Sequence, residues 1–425
     1  MTFVNNLKWS AVGALSRYVL QTISILILSR LLAPSEFGQV AAVLIVISLA
    51  LVLSQLGMNQ VISSCSKVDV NKKVFHALLI SPSIAIVISF AVFLFSGKIV
   101  EFFSIGDSAL LYVLLFSVVI RSAYSPLEGL FSYFLKFEAI AKVEFISYFF
   151  GYFFVGVSLA YFEYGSYSLV FAILAQSLIA LVMLVILFFR LDFVIDLELS
   201  WTELWETLKR ACAISYGQIL SGITSQTDNY FVNKYLGLAS LGIYTRAYQL
   251  MVVPCNFAGQ IINRVIISRF AKGDEDHERI IIVGVYLALV LAVLISSVIV
   301  ILGLDLVDFL LGNGWTEVFL PLLILSFSIF PRMVYKITEP VLIANGLEQK
   351  LIISLKVYLF CTLGFCYFFR NEGVLGISVA VLISTGLYGA VSMYNLIRVY
   401  SRLWRSMLAA LFVYVLSSLL IWSFR

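Results

Sequence analysis

Charge is what this chain has least of. Only 12% of its 425 residues are charged and the mean hydropathy is +1.03, whereas a soluble domain carries about a quarter charged residues. A soluble globular protein is excluded. Histidine is scarcer still: His76 and His277 are the two present, which excludes a multi-histidine metal centre. The five cysteines (Cys65, Cys212, Cys255, Cys361, Cys366) form no CxxC pair and fall mostly in apolar runs, so they are expected to be packing residues. No GxxxxGK[ST] nucleotide loop occurs, which disfavours nucleotide-driven transport by this chain alone. No nucleophile or acid/base constellation stands out, no cofactor is implied, and a first helix retained after MTFVNNLKWS is expected because no small-residue cleavage site follows it.

What the chain has instead is long apolar runs. Segments of about 20 residues recur from end to end, each long enough to cross a hydrocarbon core about 30 Å thick as a helix. They are continuous rather than alternating, which argues against a β-barrel. The expected fold class is an all-α polytopic membrane protein with 12 core helices, near 8–32, 37–62, 74–96, 110–135, 140–162, 166–190, 211–236, 241–268, 279–303, 317–343, 350–369 and 373–397. A thirteenth apolar stretch runs over 406–423. The expected domains are an N-terminal lobe over 1–190, a cytoplasmic link over 191–210 containing DLELSWTELWETLKR, a C-terminal lobe over 211–397, and a basic segment with a hydrophobic helix over 398–425.

Basic residues set the expected orientation. With the N-terminus cytoplasmic, sixteen of them, among them Lys72, Lys73, Lys136, Arg190, Lys209 and Arg398, fall inside, against Arg30, Lys98, Lys234 and Arg370 outside. Such a bias reports topology, so the net charge of +4 implies no nucleic-acid partner.

The two halves repeat. SRLLAPSEFGQV aligns with NKYLGLASLGIY at a shift of 204, pairing Arg30 with Lys234 and Gly38 with Gly242. Arg121, Tyr124 and Glu128 align with Arg332, Tyr335 and Glu339 at a shift of 211. Six helices is an even number, so the second copy enters with the orientation of the first, a parallel repeat about an axis along the membrane normal.

Polar residues inside spans recur at intervals of three or four, which places them on one face of a helix. The stripes are Ser10, Gly13, Arg17, Gln21 and Ser24 in the first span; Gly217, Ser221, Ser225 and Asp228 in the seventh; and Ser117, Arg121, Ser125, Glu128 and Ser132 in the fourth. The tenth carries Ser328, Arg332, Lys336 or Tyr335, and Glu339, and the eighth Arg246, Gln249, Asn256, Gln260 and Asn263. A shared water-filled cavity is the simplest place for five such faces. Charges at mid-membrane cost at least about 2.5–3.5 kcal/mol each and need partners or a ligand. Arg121 with Glu128 and Arg332 with Glu339 are structural ion pairs, bridged through neighbours or water, or else ligand groups. Arg17 has no acid on its own helix; Arg246 and Lys336 could pair or snorkel. Asp228 is the best carboxylate for coupling to a cation or proton, with polar packing as its alternative. Glycines at 151 and 156, 217 and 222, and 237 and 242 are spaced by five and suggest close packing or turns. Pro126, Pro254, Pro331 and Pro340 predict kinks.

LSRLLAPSEFG, LGLASLGIYTRAYQL, EYGSYSLV and NEGVLGISVAVLIS resemble the polysaccharide-transporter branch of the multidrug/oligosaccharidyl-lipid/polysaccharide (MOP) exporters, more narrowly the O-antigen flippases of the Wzx type. The resemblance covers nearly the whole chain. It implies two six-helix lobes in a V, in a bacterial inner membrane, moving an undecaprenyl-diphosphate-linked oligosaccharide to the periplasmic leaflet, with a pathway polymerase and chain-length proteins as further partners. It also implies a cationic cavity, for which Arg17, Arg121, Arg246, Arg332 and Lys336 are the candidates, since arginine forks bind phosphate oxygens. Gln21, Ser221, Ser225, Gln249, Asn256 and Gln260 would suit sugar hydroxyls, and Asp228, Glu128 or Glu339 would couple transport to an ion gradient. A drug exporter of the same superfamily would want an acidic cavity, and a membrane polymerase would be expected to carry a long outside loop, which this chain lacks.

Overall fold

Lipid offers no hydrogen bonds, so a chain this apolar must satisfy its backbone within helices. The computed structural model describes residues 19–24, 26–66, 69–191, 193–271, 277–312 and 314–423, without the side chains of 258, 260–271 and 418–423. Everything below concerns these residues. The helices are α1 (Val19–Leu31), α2 (Pro34–Gln55), α3 (Met58–Ser63), α4 (Val70–Leu94), α5 (Ser96–Phe102), α6 (Ser108–Tyr133), α7 (Phe137–Tyr148), α8 (Val157–Tyr161) and α9 (Ser166–Phe188). They continue as α10 (Trp201–Leu236), α11 (Leu238–Ala271), α12 (His277–Leu311), α13 (Phe319–Ser326), α14 (Ile329–Ala344), α15 (Glu348–Phe368), α16 (Gly373–Val399) and α17 (Leu403–Ser423). Eight helices among the described residues are long and apolar enough to span a membrane by themselves, nine when the bent pair ending in α14 is taken as one. α10 and α11 are longer but more polar.

The chain divides into two compact units. The first holds the residues up to Gln226 together with Gly237–Gly242; the second holds Thr227–Leu236 and Ile243–Arg425. The link expected to precede the seventh helix instead begins it, since α10 starts at Trp201. Lys72 at the start of α4 reaches Glu198 at 3.3 Å and Glu203 at 3.7 Å, and His76 Nε2 accepts from the Ser200 amide at 3.3 Å, so the entry to α10 is tied to α4.

In the first unit, Leu56 and Gly57 adopt left-handed conformations that divide α2 from α3. Between α7 and α8 the chain forms a π-helix over Phe149–Gly156, which explains the spacing of five. Both glycines face α9: a Cβ at Gly151 would lie 2.7 Å from Gln176 Cβ, and one at Gly156 3.0 Å from Ala172 Cβ. The paired glycines of the repeat meet each other. A Cβ on Gly38 would strike the Leu238 carbonyl oxygen and one on Gly242 the Pro34 carbonyl oxygen, and each would stand 3.2 Å from the other glycine's amide nitrogen. Residues related by the shift of 204 therefore make reciprocal contacts at the N-termini of α2 and α11.

In the second unit the expected tenth span is broken. α13 and α14 meet at a 52° bend just before Pro331. Carbonyls freed at the break are taken up by side chains: Ser296 Oγ donates to Ser326 O at 3.1 Å and Tyr414 OH to Phe327 O at 2.8 Å. α17, which packs chiefly against α12, thereby reaches the break, its Tyr414 ring 4.9 Å from that of Phe330. Pro126, Pro254 and Pro340 lie inside α6, α11 and α14.

Candidate functional site

Several stripe serines turn inward on their own helices. Ser117 donates to Leu114 O at 2.6 Å, Ser225 to Gly222 O at 2.8 Å and Ser328 to Leu325 O at 2.6 Å. A serine satisfied this way carries no signal of a cavity. The residues that do gather into sites are the charged ones and their neighbours, in one group per unit.

In the first unit a cavity of about 240 Å³ is lined by α2, α6, α7 and α9, with Gln55, Arg121, Tyr124, Ser125, Glu128, Glu144, Ser147, Gln176, Ser177 and Ala180 on its walls. Arg121 is exposed, and its guanidinium forms no ion pair or hydrogen bond among the described residues. The ion pair of Arg121 with Glu128 is thus not formed. Glu128 instead accepts from Asn59 Nδ2 at 3.0 Å, which a close approach allows: a Cβ at Gly129 would fall 2.9 Å from Asn59 Cα. Gln55 donates to the Arg121 carbonyl at 3.4 Å. One cation and two carboxylates face the space.

In the second unit the equivalent arginine is buried. Arg332 is only 4% exposed; its Nε donates to Ser328 Oγ at 3.1 Å and its Nη1 to Tyr248 OH at 3.0 Å. Its guanidinium stands 4.9 Å from the Tyr248 ring, close enough for a cation–π contribution. Nη2 is buried with no hydrogen-bond partner among the described residues. One turn on, Lys336 donates to Asn256 Oδ1 on α11. Asp228, 5% exposed, accepts from Tyr244 OH at 2.6 Å and from the Asn229 amide at 2.8 Å. Glu339 accepts from Tyr388 OH at 3.3 Å. Tyr388 stacks on Tyr358 at 4.7 Å with a 10° interplanar angle, and Tyr335 packs 4.7 Å from the Tyr388 ring.

Two cations and two carboxylates thus share this interior, each held by a neutral hydroxyl or amide and none by a direct ion pair among the described residues. Charge-assisted hydrogen bonds of this kind are roughly twice as strong as neutral ones. Arg332 and Glu339, two turns apart, do not bond directly, as their spacing leads one to expect; each has its own tyrosine partner, Tyr248 and Tyr388.

The other candidates stand as follows. Arg17 lies outside the described residues, as does the side chain of Gln260. Gln21 on α1 and Arg246 and Gln249 on α11 are half-buried, and Ser221 and Ser225 are exposed on α10. The residues that sequence reading missed are Tyr244, Tyr248, Tyr358 and Tyr388 in the second unit, and Gln55, Glu144, Ser147, Gln176 and Ser177 in the first. Gln176 and Ser177 carry a signal in hindsight, being adjacent polar residues in FAILAQSLIALVMLVILF. The tyrosines carry little, since a tyrosine in an apolar helix is unremarkable by itself.

Proteins similar to this chain include named transport proteins. Over 288 residues the chain is 24% identical to the succinoglycan biosynthesis transport protein ExoT of Rhizobium meliloti (strain 1021), a match covering 65% of this chain and 56% of that one. Over 284 residues it is 25% identical to the lipopolysaccharide biosynthesis protein WzxC of Escherichia coli (strain K12), again 65% and 56%. The matches therefore span little more than half the length of these relatives. Among solved structures, the lipid II flippase MurJ in its inward closed conformation superposes with a TM-score of 0.78 at 12% identity, covering 98% of this chain and 97% of that one. An inward-facing multidrug resistance MATE family transporter of the MOP superfamily gives 0.72 at 14% identity, covering 92% and 98%. At such identities these two establish the fold, that of MOP transporters. The family described as polysaccharide biosynthesis protein matches residues 27–320 by its sequence model, well over half of the chain, and the chain belongs to that family.

Proposed function

We propose that this protein is a flippase that carries an undecaprenyl-diphosphate-linked oligosaccharide, the repeat unit of an O-antigen or related polysaccharide, from the cytoplasmic to the periplasmic leaflet of a bacterial inner membrane. The N-terminus is cytoplasmic and the lobes are 1–190 and 211–397, joined by the cytoplasmic link 191–210 and followed by 398–425. The observation that carries the reading is Arg332: a buried guanidinium with one nitrogen unpartnered and a second cation, Lys336, one turn away. Two cations on one helix face suit a diphosphate dianion, because an arginine fork gives paired hydrogen bonds and a lysine adds a point charge. Arg17, Arg121 and Arg246 complete the proposed cationic set. Gln21, Ser221, Ser225, Gln249, Asn256 and Gln260 meet sugar hydroxyls.

Transport draws on an ion gradient. Asp228 is the first choice of carrier, being a buried carboxylate whose partners are neutral hydroxyl and amide groups; Glu128 and Glu339 are the others. A polymerase and chain-length proteins of the same pathway are the proposed neighbours in the membrane. Support comes from the family and from a relative named as a succinoglycan biosynthesis transport protein.

The test is gene deletion in the source organism, reading surface polysaccharide and lipid-linked oligosaccharide on the cytoplasmic side. The expected result is lost surface polymer with accumulated lipid-linked units, restored by wild type and not by Arg332→Gln. Single units that reach the surface unpolymerised would show a polymerase instead.

A further inference from the structure

We propose that the groove between the ends of α15 and α16 that carries Lys350 and Arg398 is a binding site for the headgroup of an anionic glycerophospholipid of the surrounding bilayer. The groove lies within the second unit and shares no lining residue with the Arg332 group. Its ligand does not depend on what the chain transports. The leaflet it faces, the cytoplasmic one, follows from the orientation proposed for the chain.

Two long helices bring the cations together. α15 and α16 are joined by residues 369–372 and pack along each other as an antiparallel hairpin. Tyr358 OH and Thr385 Oγ1 stand 3.4 Å apart near mid-length, and Asn395 Nδ2 donates to Ser354 Oγ at 2.9 Å toward the open end. Lys350 in the first turn of α15 and Arg398 in the last turn of α16 therefore lie at one level. The 21 residues of α15 make a helix about 30 Å long, the thickness of the hydrocarbon core, so that level is where lipid phosphates lie.

The groove has a volume of about 460 Å³, with the cations at its rim and Ile353 and Val391 one to two turns deeper. Ile353 and Tyr394 are 59% and 54% exposed, an apolar and aromatic surface that an acyl chain and its glycerol end would cover. Tyr394 OH accepts from Arg398 Nε at 2.8 Å, which orients the guanidinium and leaves both terminal nitrogens over. Among the described residues neither those nitrogens nor Lys350 Nζ has an ion pair or hydrogen bond. No carboxylate among the described residues lines the space; Glu348, two residues before Lys350, falls on another face of α15. Basic pockets between membrane helices on the cytoplasmic side bind anionic headgroups, and an arginine fork with a lysine beside it matches the free oxygens of a phosphodiester. The other polar groups of the lining, Ser354 and Asn395, are buried and bonded to each other. That favours a small headgroup over a saccharide, whose many hydroxyls each need a donor or acceptor.

The experiment uses the full chain in detergent and a phosphatidylglycerol whose acyl chain carries a photoreactive group, with the labelled peptides identified by mass spectrometry. Unlabelled phosphatidylglycerol, phosphatidylethanolamine with the same chains, and undecaprenyl diphosphate are the competitors. Lys350→Gln, Arg398→Gln and the double variant are compared with wild type and with Lys209→Gln, an exposed lysine of α10 that controls for lost charge elsewhere. The expected result is labelling of the peptides that contain Ile353 and Val391, displaced by phosphatidylglycerol and not by phosphatidylethanolamine. The concentration for half-maximal labelling should rise about fivefold in each single variant and at least about tenfold in the double, and stay at the wild-type value in Lys209→Gln. Equal displacement by both phospholipids, or undiminished labelling in a folded double variant, would overturn the headgroup site. Displacement by undecaprenyl diphosphate at equal concentration would give the groove to the carrier lipid and overturn the phospholipid assignment while leaving the flippase reading intact. The competition on wild type decides the matter if the variants do not fold.

Discussion

Arg121, Tyr124 and Glu128 on α6 and Arg332, Tyr335 and Glu339 on α14 are the same three residue types at the same spacing, yet the first set lines a cavity with its arginine exposed and in the second the arginine is buried against the Tyr248 ring. The difference lies on neighbouring helices. α7 and α9 contribute Ser147, Ser177 and Ala180 where α15 and α16 contribute Tyr358, Thr385 and Tyr388. A motif on one helix thus fixes the chemistry that is available, and the side chains of two other helices fix what surrounds it.

That contrast can be broken in both directions. Tyr388→Ser should open the second unit and strip Glu339 of its donor, costing about 4 kcal/mol, the range of large buried aromatic deletions; Ser147→Tyr fills space already empty and should cost under about 1 kcal/mol. Denaturant unfolding in detergent compares the two, and equal losses would show that the units are packed alike. Arg332→Ala should destabilise by about 3 kcal/mol through two lost charge-assisted hydrogen bonds, against under about 0.5 kcal/mol for exposed Arg121→Ala. The same unfolding assay reads this pair, and similar losses would mean that Arg121 is as deeply engaged as Arg332.

Gly38→Ala and Gly242→Ala test where the copies are alike. Each adds a methyl against the other's carbonyl-bearing turn, so each should cost about 2 kcal/mol, and the two should match in melting temperature. A large inequality would show that the reciprocal contact is not shared evenly. Tyr244→Phe removes the 2.6 Å bond to Asp228 and should cost about 1.5 kcal/mol. It should also alter the pH dependence of transport if Asp228 carries the coupling ion; an unchanged profile would move that role to another carboxylate.

Much of the fold was legible in the sequence because its causes are local. Runs of apolar residues mark spans, and the matches at shifts of 204 and 211 mark the repeat. Of the kinks expected at prolines, the one at Pro331 corresponds to the 52° break between α13 and α14. How that break is satisfied was not legible, since its freed carbonyls accept from Ser296 and from Tyr414 in distant parts of the chain. The candidate site was legible only in its charges. Ser117, Ser225 and Ser328 belong to polar stripes but bond to their own helices, and neither arginine bonds directly to the glutamate two turns along. Periodicity shows which face a residue occupies and is silent about what stands opposite.

The amino-acid sequence by itself determined that this is an all-α membrane protein built from two parallel copies, because hydropathy and helical period act along the chain. It also determined that charged residues are placed inside the spans. Only the tertiary structure decided that one copy's arginine stands exposed beside a polar cavity while the other's is buried, and that Gly38 and Gly242 approach each other closely. Free volume and close approach depend on side chains brought together from several helices, and no pattern within a single helix specifies them.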